Sequence, residues 1–71
     1  MLITVKVRYG TTYSKMESFG NNRYLVYLIS QSSDSDASLE LVTLISRKMG
    51  VPPGRIKIKE DKGSDKVVEL S

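Results

Sequence analysis

Near the start of the chain, apolar and polar side chains take turns. Ile3, Val5, Val7 and Tyr9 alternate with Thr4, Lys6 and Arg8, the period of two that marks a strand with one buried face. A strand is therefore expected over Leu2–Tyr9. The stretch 10–22 contains Gly10, Gly20, Asn21 and Asn22 among polar residues, so it reads as an irregular connection ending in a turn, with Met16 and Phe19 as plugs for the core. From Arg23 to Ser30 the order RYLVYLIS is almost continuously apolar and rich in β-branched and aromatic residues, which predicts a second strand, antiparallel to the first.

A helical period follows. Ala37, Leu41, Leu44, Ile45 and Met49, with Val42 beside them, form one stripe, while Glu40, Thr43, Ser46 and Arg47 fall largely opposite. The preceding loop offers Asp34, Ser35 and Asp36 as N-caps, because their side chains are able to accept the free N–H groups of a first helical turn. Gly50 suits the left-handed residue that closes a helix, Val51 packs back on the last turn, and Pro52 and Pro53 prevent continuation. Alternation then resumes over Arg55–Glu60, with Ile56 and Ile58 inward and Arg55, Lys57 and Lys59 outward. A turn around Gly63 leads to a last strand over Lys66–Leu70, with Val68 and Leu70 inward.

The predicted order is β-β-α-β-β: a two-layer α+β domain over residues 1–71, one helix packed on a four-stranded mixed sheet. One helix covers only one face of such a sheet. On the other face, alternation gathers Thr4, Lys6, Arg8, Lys57 and Lys59, and strand two adds either Tyr24 or Tyr27 depending on register; with Tyr24, Val26 and Leu28 inward, the face gains Leu25, Tyr27 and Ile29. Three occupants suit this face. Solvent would leave the lysines snorkelling over apolar neighbours. A nucleic-acid strand would meet cations for its phosphates and Tyr27 for a base. A protein partner or a second copy would cover the Leu25–Tyr27–Ile29 stripe.

Composition narrows the chemistry. Seventy-one residues form one core, and the formal charge of +3 permits contact with polyanions. No cysteine or histidine is present, so disulfides, thiolate or imidazole metal ligands, and every histidine-based acid–base scheme are excluded. The eight acidic residues are scattered, and no cofactor or metal is expected. Glu60, Asp61, Asp65 and Lys66 surround one turn, where a surface position offers a carboxylate little of the burial that catalysis requires, so no enzyme activity is expected. At the helix start, Asp34 and Asp36 would occupy the amides that an anion needs, so we expect capping there and not phosphate binding. The opening residues lack the continuous apolar centre of a secretory signal, and no apolar run is long enough to span a bilayer, which together lead us to expect a cytoplasmic chain without membrane contact.

The stretch LISRKMGVPPGRIKI, the closing DKVVEL, the opening VKVRYG and the segment GNNRYLVYL resemble the YggU-like family of small proteins over nearly the whole chain. The resemblance implies a β-β-α-β-β core and brings no molecular activity with it. The family's polar signatures are largely missing. Its Pro-Gly-Ala-Ser-Arg after the first strand is here Tyr9-Gly10-Thr11-Thr12-Tyr13, its Pro-Pro-x-x-Gly-Lys-Ala-Asn keeps only Ala37, and its Ser-Arg-x-Lys keeps only Lys66. The ubiquitin-like β-grasp is similar in element order and in a Gly-Ile-Pro-Pro turn like Gly50-Val51-Pro52-Pro53. The end Val68-Glu69-Leu70-Ser71 lacks a diglycine, so covalent tagging is not expected. Both resemblances imply a fold, and neither implies a site.

Overall fold

The computed structural model describes residues 1–71 and has one helix on a five-stranded mixed sheet. The strands are β1 (Leu2–Arg8), β2 (Lys15–Ser18), β3 (Arg23–Tyr27), β4 (Ile56–Lys62) and β5 (Asp65–Leu70); α1 (Ala37–Met49) stands between β3 and β4 in sequence. In space the order is β2-β3-β1-β5-β4. The α+β class and the single helix agree with the sequence. The strand count and one direction do not.

The missing strand is β2, inside what the sequence presents as an irregular connection. It is four residues long, pairs antiparallel with β3, and buries one side chain, Met16. Between them, residues 19–22 make the turn, with Asn22 in the left-handed region at φ 56°, a conformation that asparagine tolerates. Two reversals now separate β1 from β3 where one was expected. Consequently β3 runs parallel to β1, with Val5 opposite Tyr24 and Val7 opposite Val26, and not antiparallel. The remaining neighbours, β1–β5 and β4–β5, are antiparallel.

The core forms where the inner faces of these strands meet α1. Ile3, Val5 and Val7 from β1, Val26 from β3, Ile56 from β4, and Val68 and Leu70 from β5 pack with Ala37, Leu41 and Ile45. Met16 and the Leu28 side chain complete it, and Ile58, Tyr24, Val42, Leu44, Met49 and Val51 pack against its margin. At roughly 25 cal/mol per Å² of apolar area, each fully buried Leu or Ile contributes about 1.5–3 kcal/mol, so the alternation of β1 stabilises as well as specifies the sheet. Phe19, expected as a second core plug, is 53% exposed; its ring instead lies beneath the Arg23 guanidinium, 5.5 Å from the centroid. A residue at the tip of a hairpin cannot reach a core that Met16 already closes.

The helix ends as its sequence requires and starts differently. Gly50 is left-handed at φ 69°, and its N–H donates to the Ser46 carbonyl at 2.9 Å. Asp36 holds the N-cap position but its side chain makes no cap hydrogen bond. Asp34 is also not a cap, since its carboxylate accepts from the Gln31 N–H at 2.8 Å and thereby closes a turn within the preceding loop.

Candidate functional site

Strand direction decides which side chains share the open face. Opposite α1, β1 presents Leu2, Thr4, Lys6 and Arg8, all exposed. Register places Arg23 beside Thr4, Leu25 beside Lys6 and Tyr27 beside Arg8 on one side of β1. On its other side stand Glu69, Val67 and Asp65, and beyond them β4 supplies Lys57 opposite Glu69, Glu60 opposite Val67 and Lys62 opposite Asp65. Strand β2 adds Lys15 beside Tyr27 and Glu17 beside Leu25.

The surface expected from the sequence is thus partly assembled and partly divided. Lys6, Arg8, Leu25 and Tyr27 are immediate neighbours. Lys57 and Lys59 are not, because β5 lies between β1 and β4 and separates them by two strand spacings, about 9.5 Å. Lys59 is the extra residue of a β-bulge between Ile58 and Glu60, and its ammonium is 3.5 Å from the Glu69 carboxylate. A bulge that carries a lysine also blunts β4 as an edge for further strand pairing. Ile29 leaves the face altogether. It lies beyond the last β3 residue, in the connection to α1, and its N–H donates to Glu40 at 2.8 Å.

The two halves of the open face differ in charge. Around β5 and β4, Lys57, Lys59 and Lys62 are interleaved with Glu60, Asp65 and Glu69. Around β1, β3 and β2, Lys6, Arg8, Lys15 and Arg23 meet two carboxylates, Asp65 across from Lys6 on β5 and Glu17, which Lys15 holds at 2.5 Å. That hydrogen bond, with the charge of Glu17, keeps the Lys15 ammonium above its ordinary pKa. Lys6 and Arg8 enter no ion pair. Beside them the Tyr13 and Tyr27 rings stack, with centroids 6.2 Å apart and planes 22° from parallel. Tyr13 precedes β2 and joins the face only because that strand exists. Sequence reading left it in a loop.

Two other polar arrangements were missed: one depends on contacts distant in sequence, the other on the bulge at Lys59 that brings Asp61 into register with Lys66. Glu40, expected on the outer side of the helix, is a clamp. Its carboxylate accepts from the Ser14 hydroxyl at 2.5 Å, the Ile29 N–H at 2.8 Å and the Ser30 N–H at 3.0 Å, tying the β1–β2 and β3–α1 connections to the helix. Burial alone would raise this carboxyl, but the donors of Ser14, Ser30 and Ile29 outweigh it and hold the pKa at about 2. Glu40 also forms part of an open groove of about 400 Å³ with Ser14, Ser30, Leu39, Thr43 and Arg47.

The second arrangement is Lys66, the inward residue of β5 before Val68, only 6% exposed. Its ammonium donates to Asp61 Oδ1 at 2.6 Å. Burial lowers its pKa, yet the partnership with Asp61 and Tyr9 leaves it raised overall, while Asp61 is held low by Lys66 and by the Gly63 N–H. The acidic turn therefore supplies a counter-ion to a buried lysine. No three of the carboxylates converge on a point, and no helix is long and apolar enough to cross a membrane.

Compared with known proteins, the chain matches no family model and no curated protein.

Proposed function

We propose that this protein is a non-catalytic binding module that engages its partner through the sheet face opposite α1. One observation carries the reading: the lone helix leaves that face bare, and there Leu25, Tyr27 and Val67 lie half-buried among exposed charged side chains. An apolar centre with a charged margin is the composition of a contact surface. The two carboxylates with perturbed pKa values have structural duties, Glu40 as a clamp and Asp61 as the counter-ion of Lys66. A YggU-like relationship is compatible with this reading. Under that proposal β1, β3, α1, β4 and β5 would correspond to the β-β-α-β-β core, and β2 would be an additional edge strand.

A photo-crosslinking residue tests the reading when placed at Thr4, in the centre of the open face, and separately at Ser38, exposed on α1. Adducts formed in host extract from the Thr4 position and absent from the Ser38 position are expected. Adducts from Ser38 alone, or from neither position, would refute it.

A further inference from the structure

We infer that the partner is a single-stranded nucleic acid, bound on the β2–β3–β1 half of the open face. Its phosphates lie over Lys6 and Arg8, and a base stacks on the Tyr13–Tyr27 pair. The inference rests on the proposed binding face and narrows it to one half and one class of partner.

Charge complementarity is the first support. Lys6 and Arg8 are exposed, unpaired and two residues apart on one strand, so their attachment points lie about 6.8 Å from each other, a separation suited to successive phosphates of an extended strand. Arg23 adds a third cation beside Thr4; of the two carboxylates bordering this half, Glu17 is already neutralised by Lys15, and Asp65 stands across from Lys6 without forming an ion pair with it, so cations remain in excess. A protein partner would have to desolvate Lys6 and Arg8 and supply acids to both; a phosphate chain brings them. The mixed charges that suit a protein surface are gathered on the other half, around β4 and β5.

Aromatic placement is the second support. Tyr27 is the direct neighbour of Arg8 across the β1–β3 pair, and Tyr13, stacked on it, is 54% exposed. A base added to the free face of Tyr13 would extend an existing stack within one or two strand spacings of the free cations. An open sheet face with aromatic side chains offers this to an unstacked base.

The test is fluorescence anisotropy of short labelled oligo(dT) and oligo(rU) with the full chain. Three phosphate contacts predict a salt slope near −2, so affinity should fall about 20-fold between about 50 and 200 mM salt. The Lys6→Glu/Arg8→Glu double variant should weaken binding at least about tenfold at low salt, while Lys57→Glu/Lys59→Glu stays within about threefold. Tyr13→Ala should weaken binding about fivefold or more without altering the salt slope. Equal losses from the two charge-reversed pairs would reduce the effect to general attraction by a basic protein and overturn the inference. So would the absence of binding to either oligonucleotide at about 50 mM salt. If that absence is accompanied by protein adducts from the Thr4 crosslinker, the nucleic-acid assignment falls and the binding face stands. If adducts are missing as well, both fall.

Discussion

Replacing Glu40 with Gln asks whether one carboxylate holds two loops on the helix. The side chain gathers three donors from two connections, the Ser14 hydroxyl and the N–H groups of Ile29 and Ser30. A carboxyl held at about 2 instead of 4.5 corresponds, at 1.36 kcal/mol per pKa unit, to about 3.4 kcal/mol of preference for the charged form in the folded state. Glu40 is partly solvated and two of its donors are exposed, so the realised stabilisation is about 1.5–2.5 kcal/mol. For a domain of this size that corresponds to a melting temperature lower by about 6–20 °C. Because the folded pKa is depressed, the contribution is complete above pH 4.5 and disappears as pH falls toward about 2. The gap between wild type and Glu40→Gln, measured by urea unfolding followed by circular dichroism, should thus be full at pH 7 and lose more than half its size by about pH 3. A gap of the same size at both pH values would show that the charge of Glu40 does not secure these loops.

Further outcomes follow from the buried groups. Lys66→Met should stay within about 1 kcal/mol of wild-type stability, because a thioether fills the space of the buried stem, whereas Asp61→Ala should cost about 2 kcal/mol by leaving the ammonium without its partner; equal effects in thermal melts would refute the pairing. The raised pKa of Lys66 implies that its contribution is complete below its ordinary value of 10.5 and declines as pH rises through the higher folded value, a decline that Lys66→Met should lack in the same melts. Leu41→Ala, at a fully buried helix position, should cost about 2–5 kcal/mol, read from chemical unfolding. Gly50→Ala should cost about 1 kcal/mol because φ there is 69° and nothing crowds the position; a neutral result would dispute the left-handed cap.

Strong periodicity made most of the layer structure legible. Ile3, Val5 and Val7, the Ala37–Met49 stripe, and Ile56, Val68 and Leu70 all face the core that their spacing implies. The Gly50-Val51-Pro52-Pro53 seam ended the helix as its chemistry requires. What the pattern concealed was β2, a short edge strand whose alternation amounts to Met16 between Lys15 and Glu17. The turn at residues 19–22 was the available signal, since a tight turn immediately before a strand implies a strand behind it. Missing that strand reversed the direction of β3 and left Tyr13 off the map, although the inward set Tyr24, Val26 and Leu28 survived because a change of direction preserves parity. The candidate surface was half legible for a related reason. Alternation assigns residues to a face but says nothing of strand order, and the order put acidic β5 between Arg8 and Lys57. The role of Glu40 depends on partners distant in sequence, and that of Lys66 on the bulge at Lys59, which shifts the alternation and brings Asp61 into register with it.

Backbone amide NMR during titration with oligo(dT) tests the central claim most directly, since it locates contact without altering the protein. We expect the largest shifts at Lys6, Arg8, Leu25 and Tyr27, with Lys57, Lys59 and the outer face of α1 nearly still. Shifts concentrated on α1 or around Lys57, or a spectrum unchanged at saturating oligonucleotide, would contradict the assignment of the cationic, aromatic half of the open face as the binding surface.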